Sequence, residues 1–306
     1  MKKKTVLIGL GNIGLNYDLN ERSILTHSKS VSKSQKLKLI YGIDKSDKQR
    51  RIFEKKYFIK THSNLKKIKS LSDTNFVIIS TPNQTHLKLI SEILSLKNLK
   101  FILLEKPGGS NFKDFKKIMH LCKKKKINLF INYQRLYDAN YLKVMTLLKQ
   151  MKKFTGFAFY SRGLENNCSH ILSFLNSFNL KKTKITILKR GKNPDFLIKF
   201  VNGQIVFFNN PRKNISNNEF EILGDNLKIK TSDEINKFEI FKIKKDKYIK
   251  NNHLFSKKKI INLDKNNSQL NVLASIFDKK KSKNISKILK ISYDTSKLIN
   301  KIKSMQ

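Results

Sequence analysis

A short apolar run, Thr5-Val6-Leu7-Ile8, leads directly into Gly9-Leu10-Gly11-Asn12-Ile13-Gly14. No other stretch narrows the fold as far. In a strand–turn–helix unit the first glycine permits a tight turn, the second lets a pyrophosphate approach bare backbone, and the third allows a helix to pack closely on the strand. Glycine spacing alone is a weak signal, and a ligand-free turn is the bland alternative. The preceding strand makes a dinucleotide site the better expectation. The same residues argue against a signal peptide beginning at Met1-Lys2-Lys3-Lys4, because glycines and Asn12 break the apolar part and no small-residue cleavage site comes after it.

The residues beyond repeat this logic. Apolar runs at Thr5–Gly9, Leu37–Ile43, Phe76–Ser80, Phe101–Glu105 and Ile127–Asn132 alternate with amphipathic stretches at Asp47–Tyr57, Thr85–Leu96 and Asn111–Cys122. That alternation predicts a Rossmann domain, a doubly wound parallel sheet, over residues 1–133. One irregularity is visible. Asn16 to Ser23 is a poor helix start, so the first helix is expected near Thr26, after a loop of about ten residues. A helix from Asp138 to Lys149 is predicted to lead into a second domain, residues 134–306. There the texture changes to short β-branched and aromatic runs, at Phe154–Tyr160, Lys184–Leu188, Phe196–Val201, Gln204–Phe208, Glu219–Leu223 and Lys237–Phe241. Val201-Asn202-Gly203-Gln204 reads as a hairpin turn, and Gly224-Asp225-Asn226 as a second turn. With helices near Ser169–Phe178, Leu270–Phe277 and Ser286–Lys303, this half is expected to be α+β with a large, mostly antiparallel sheet. The last helices are candidates for packing back on the first domain.

Composition excludes some functions. Cys122 and Cys168 offer neither a disulfide framework nor metal-ligand spacing, which fits a reducing cytoplasm and no metal. Cys168 stands two residues before His170, but nothing nearby resembles the third group of a nucleophilic triad. No apolar stretch approaches the roughly 20 residues of a membrane span. The net charge of +43 would suit a nucleic-acid partner. Yet only seven of the 65 basic residues are arginine, the preferred reader of phosphates and bases, and the lysines occupy nearly every predicted loop and helix face. Abundant Asn, Ile and Phe with no Trp point to codon bias of an AT-rich genome, so no specific nucleic-acid partner is expected.

Three further clusters carry chemistry. Asp44 ends the second predicted strand, 30 residues after Gly14 instead of the usual ~20. A carboxylate there accepts from ribose hydroxyls and repels a 2′-phosphate, favouring NAD, while Lys45, Ser46 and Lys48 keep NADP open. Alternatively, Asp44 caps the next helix. Ser80-Thr81-Pro82-Asn83, with His86, follows the third strand and would edge the nicotinamide ribose, or simply start a helix. Glu105-Lys106-Pro107 closes the fourth strand and places a lysine at the rim where the cofactor should lie.

Taken together, the Thr-Pro-Asn turn with its histidine, Glu105-Lys106-Pro107, Asn132-Tyr133-Gln134-Arg135 and the segment from Gly163 to His170 resemble the Gfo/Idh/MocA family of NAD(P)-dependent oxidoreductases, in the family's order. The resemblance implies hydride transfer between a nicotinamide and a hydroxyl or carbonyl of a sugar or nucleotide-sugar, a chemistry that suits surface polysaccharide synthesis. It implies Lys106 and His170 as catalytic residues, Lys106 orienting or protonating the reacting oxygen and His170 exchanging the hydroxyl proton. It assigns Gly9, Gly11, Asn12, Ile13, Gly14, Asp44, Thr81, Pro82, Asn83, His86, Glu105 and Lys106 to the cofactor, and Tyr133, Arg135 and Asn166 to substrate. Assembly as a homodimer or homotetramer, commonly through the open face of the second sheet, is implied as well. One departure stands out: many members have Asp four residues before the histidine, and this chain has Asn166. An amide hydrogen-bonds but cannot serve as a carboxylate base. The rival expectations are therefore a non-catalytic or redox-sensing NAD-binding protein and, further off, a basic nucleic-acid-associated protein. Arg135 and His170 also have bland alternatives, as an ion-pair partner and a packed histidine.

Overall fold

The computed structural model describes residues 1–306 except 69–70, 149–150, 179, 213–214, 251 and 279–281. The chain divides into two compact units, Met1–Tyr137 with Lys265–Ser296, and Asp138–Asp264 with Lys297–Gln306.

In the first unit, six strands form one parallel sheet: β1 (Lys3–Ile8), β2 (Leu37–Ile43), β3 (Thr61–His62), β4 (Phe76–Ile79), β5 (Phe101–Leu104) and β6 (Asn128–Ile131). Their order is β3-β2-β1-β4-β5-β6, so the direction of winding reverses between β1 and β4. Ligands of such sheets bind beyond the carboxyl ends of the strands at that reversal. The strands read as continuous apolar runs because both faces are covered. Phe76, Val77, Ile78 and Ile79 of β4 are all fully buried, each contributing roughly 1.5–3 kcal/mol over an exposed position. Helices α1 (His27–Lys33), α2 (Asp47–Tyr57), α3 (His86–Ile93) and α4 (Phe112–Lys124) connect the strands. Ser46 caps α2 by accepting from the Gln49 N–H, so capping is not the task of Asp44.

The first helix is split. Leu15 N–H bonds to the Gly11 carbonyl and Asn16 N–H to that of Asn12, one turn of helix opening on the glycines. Residues 15–26 then leave the helix. The Ile13 and Gly14 carbonyls, which would otherwise bond to residues 17 and 18, accept instead from His27 and Ser28, both at 3.0 Å. α1 thus resumes the helix that Gly11 begins. Asp18, buried in the excursion, closes it: its carboxylate accepts from Leu25 N–H (2.6 Å), Thr26 N–H (2.9 Å) and the Thr26 hydroxyl (2.7 Å). Thr26 is the N-cap of α1, which therefore starts close to where the sequence places it.

The second unit is built on an eight-stranded sheet. Its strands are β7 (Phe154–Tyr160), β8 (Lys182–Lys189), β9 (Asp195–Phe200), β10 (Gly203–Asn209), β11 (Glu219–Gly224), β12 (Leu227–Ser232), β13 (Lys237–Lys245) and β14 (His253–Asn262). They lie in the order β14-β13-β12-β11-β7-β10-β9-β8, antiparallel except for β7 with β10. Residues 201–202 join β9 to β10 as the predicted hairpin, with Gly203 opposite Phe200. Helices α5 (Ala139–Leu148) and α6 (Ser169–Asn176) belong to this unit; the expected end of α5 at Lys149 lies outside the described residues. α7 (Ser268–Ile276) belongs to the first unit, and α8 (Ser282–Ser304) runs through the division at Ser296. Strand alternation buries Phe154, Ala158 and Tyr160 of β7 and exposes Phe157 and Phe159.

Candidate dinucleotide and lysine site

Gly9 adopts φ +96°, and a Cβ there would stand 2.7 Å from the Ser80 carbonyl carbon. Only glycine lets β1 and β4 end this close, and the Ser80 hydroxyl seals the contact by donating to the Gly9 carbonyl at 2.8 Å. A Cβ on Gly14 would meet the Gly9 oxygen at 2.1 Å, whereas one on Gly11 would find open space. The three glycines therefore do different work, and the middle one leaves backbone bare towards solvent. The first N–H groups of a helical turn lack internal partners and suit a phosphate. These residues fit a dinucleotide.

Asp44 follows β2 and is tied to the same turn. Its Oδ2 accepts from Leu10 N–H at 2.7 Å and its Oδ1 from Ser46 N–H at 2.8 Å. An ionised carboxylate offers about four acceptor sites, so ribose hydroxyls can still be received. Arg50 braces this corner, donating to the Asp44 and Lys45 carbonyls at 2.8 and 2.9 Å.

On the other side of β1, Thr81 and Thr85 share a hydroxyl contact of 2.6 Å across the Pro82 turn, and Asn83 donates to the Gly109 carbonyl at 3.4 Å. His86 is fully buried and meets the Thr81 carbonyl through Nε2 at 2.9 Å. Burial holds its pKa below the ordinary histidine value, although the Thr81 carbonyl and Glu105 favour the proton. His86 thus supports the turn from behind, with no ring surface for a cofactor.

Lys106 is half-buried at the end of β5, and its peptide bond to Pro107 is cis. Burial lowers its proton affinity, Glu105 raises it, and the Arg135 guanidinium lowers it again, leaving the ammonium below its ordinary pKa. Arg135 sits in the 3-10 turn Gln134–Tyr137 after β6, so that turn and β5 bring their two cations to one rim. Tyr133 is 1% exposed and offers little surface to a substrate, contrary to a direct binding role.

The residue whose partner the sequence does not reveal is His27. Its ring lies at zero exposure with Nε2 2.8 Å from Glu105 Oε1. Asn132 donates to the same oxygen at 2.5 Å. The one sequence signal is the N-cap Thr26 just before it; its partner is 78 residues away.

In the second unit, Asn166 is exposed and donates to the Arg162 carbonyl at 3.1 Å, within a π-helical turn, Leu164–Cys168, that comes after Gly163 at φ +98°. His170 lies in the first turn of α6, partly exposed. Cys168 is completely buried, which drives its thiol pKa well up and keeps it inert as a nucleophile. Among the described residues no group of three or more His, Cys, Asp or Glu is placed to hold a metal, and no helix is long and apolar enough to cross a membrane.

A reversed parallel sheet, a glycine turn at the reversal and an acidic side chain on the neighbouring strand define a dinucleotide-binding protein of the Rossmann class. The sequence comparison is more specific: residues 3–133 match the model of the GFO_IDH_MocA family, described as oxidoreductase family, NAD-binding Rossmann fold. Residues 3–133 therefore match the NAD-binding domain of the Gfo/Idh/MocA oxidoreductases, and the cofactor of such a domain is a nicotinamide dinucleotide. No curated protein matches the sequence. Solved structures share the fold at low identity. The dehydrogenase MviM from Clostridium difficile is 14% identical with a TM-score of 0.73, over 100% of both chains. KijD10, a 3-ketoreductase from Actinomadura kijaniata in complex with NADP and TDP-benzene, is 10% identical with a TM-score of 0.73, over 98% of this chain and 96% of that one. A super-repressor mutant of Gal80p from Saccharomyces cerevisiae is 12% identical with a TM-score of 0.74, over 99% and 95%.

Proposed function

We propose that the protein is an NAD-dependent dehydrogenase or reductase acting on a hydroxyl or carbonyl of a sugar or nucleotide-sugar, with NADP as a secondary cofactor. The observation that carries this reading is Lys106: a half-buried lysine of lowered proton affinity, between Glu105 and Arg135, two strands from the glycine turn. The bound nicotinamide would supply the hydride acceptor or donor. The glycine turn and Asp44 would hold the dinucleotide. Lys106 would give its Nζ proton to the developing alkoxide of a ketone, or stabilise that oxygen when an alcohol is oxidised. His170 of the second unit would exchange the hydroxyl proton, and Asn166 and Arg135 would position substrate, Arg135 by pairing with a carboxylate or phosphate. That a relative of the same fold was solved with TDP-benzene supports the nucleotide-sugar class. The two buried thiols suit a cytoplasmic setting, and self-association through the second unit's open sheet face is part of the same proposal.

The test is nicotinamide absorbance against a panel of sugars, uronic acids and nucleoside diphosphate sugars, with Lys106→Met in parallel. Loss of general acid catalysis should cost about 10²–10⁴-fold in turnover, with NAD affinity changed by no more than about threefold. Undiminished turnover in Lys106→Met sinks the assignment. A second reading, a cofactor-binding regulator without turnover, is favoured by Asn166 in place of the family's usual Asp. It would take precedence if NAD binds and no substrate in the panel reacts.

A further inference from the structure

Behind Lys106 runs a buried polar chain that the proposed reaction does not use. His27, the first residue of α1, meets Glu105 Oε1 through Nε2 at 2.8 Å. Asn132, after β6, donates to the same oxygen at 2.5 Å and to Gln269 of α7 at 3.1 Å. Gln269 in turn donates to Gln134 at 3.1 Å, in the turn that carries Arg135. Asn132 and Gln269 are 3% and 1% exposed. His27 and Asn132 thus meet at one carboxylate oxygen, and Gln269 and Gln134 extend the chain behind Asn132.

Burying a carboxylate costs several kcal/mol unless it is paired and hydrogen-bonded. A chain that needed only a packed core would place an apolar residue there. Glu105 has no freedom to turn away: His27 and Asn132 hold one oxygen, and Lys106 is its neighbour in sequence. Because an ionised carboxylate only accepts, the proton of the contact sits on His27 Nε2. Burial, the largest influence on Glu105, pushes its pKa up; the hydrogen bond and charge of His27, then Asn132 and Lys106, outweigh it and leave the carboxyl below its ordinary value. The charged and titratable groups on this cluster are His27 from α1, His86 from α3, Glu105 and Lys106 after β5, and Arg135 after β6.

We propose that His27 is a positioning residue for Lys106: by donating Nε2–H to Glu105 it keeps that carboxylate ionised beside the lysine, and so sets how firmly Lys106 holds its proton. The inference rests on the reading of Lys106 as the proton donor, and it gives the split first helix a purpose. The excursion of residues 15–26 returns the chain so that α1 begins with a ring aimed beneath the glycine turn at the end of β5.

The test reads the proton on Lys106 directly, in the full chain and without substrate. Trace labelling with acetic anhydride across a pH series, with mass spectrometry of the peptide containing Lys106, gives the midpoint of its titration. Removing the donor with His27→Leu lets Glu105 take up a proton, so Lys106 loses the neighbouring negative charge. The midpoint should fall by about one pH unit, and His27→Gln, whose amide still donates, should restore most of it. A purely structural histidine predicts a lower melting temperature in His27→Leu with the midpoint unmoved, and that result overturns the proposal. Should His27→Leu fail to fold, Glu105→Gln decides in the same assay: it keeps an acceptor for His27 but removes the charge, and an unmoved midpoint again overturns it. Where the midpoint falls but the basic limb of the turnover profile does not shift with it, the role of Lys106 in the reaction fails while that of His27 stands.

Discussion

At the scale of single residues, Asp44 shows how one side chain serves both the fold and the ligand. Its carboxylate already fixes the glycine turn through Leu10 and the start of the next loop through Ser46. A bound NAD would add ribose hydroxyls to the remaining acceptor sites, while a 2′-phosphate would meet the same negative charge. Hydrogen bonds to a charged group contribute about 1.5–3 kcal/mol. Asp44→Ala should therefore weaken NAD binding by roughly tenfold or more in calorimetry and weaken NADP binding much less. An equal loss for both cofactors would mean that Asp44 acts only on the turn. Lys45 and Lys48, close by in sequence, would favour a 2′-phosphate once the carboxylate is gone, which sharpens the contrast.

At the scale of elements, the interrupted first helix carries the next prediction. The Asp18 carboxylate accepts from the N–H groups of both Leu25 and Thr26, and Asp18 and Thr26 are themselves buried. Asp18→Ala leaves the buried Thr26 N–H and the half-buried Leu25 N–H without their acceptor and removes a partner of the Thr26 hydroxyl, a loss on the order of 2–4 kcal/mol. Differential scanning calorimetry should show a fall of roughly 5–10 °C, and hydrogen exchange should accelerate at Leu25 and Thr26. An unchanged melting temperature would refute the clamp. This element also marks how far the sequence can be read. Thr26 before His27 announces a helix start, and the poor helix sequence after Asn16 announces a loop, because both signals are local. That Ile13 and Gly14 hand their carbonyls to residues beyond the loop is a tertiary fact. So is the reach of His27 to Glu105. The same divide runs through the strands: β2 and β7 have the boundaries their apolar patterns predict. β3 escapes notice because two residues make no pattern. β12, Leu-Lys-Ile-Lys-Thr-Ser, and β14 are hidden by their lysines, which an open sheet face tolerates. At the site, the glycines, Asp44 and Lys106 are legible as motifs. Tyr133 and His86 belong to the same motifs yet are enclosed by the fold, because a motif does not reveal which of its side chains are buried.

At the scale of the whole molecule, a net charge of +43 opposes any contact between two copies of the chain. The lysine excess is not uniform, however. On the open face of the second unit's sheet, Phe157, Phe159, Phe208 and Leu223 are each about 40% exposed. Phe159 packs its ring against Phe157 and Phe208 at centroid separations of 5.7 and 5.6 Å. Three lysines on this sheet face share two carboxylates: Lys228 pairs with Glu221, and Lys237 and Lys258 pair with Glu239. Glu219 lies opposite Phe159 in register, its pKa raised by burial and by Glu234. A chain with about three basic residues for every acidic one thus gathers several of its carboxylates beside this apolar face. A nucleic-acid-binding surface would have the reverse composition. The self-association proposed above would bury the aromatic centre of this face against a second copy of the chain. Sedimentation velocity at tens of micromolar protein and moderate salt should give a dimer or tetramer. Phe159→Lys adds a charge at the centre of the patch and should yield monomers whose affinity for NAD is unchanged, since the dinucleotide site lies in the other unit. A wild-type monomer, or a Phe159→Lys variant that assembles as wild type does, would remove this face from the assembly.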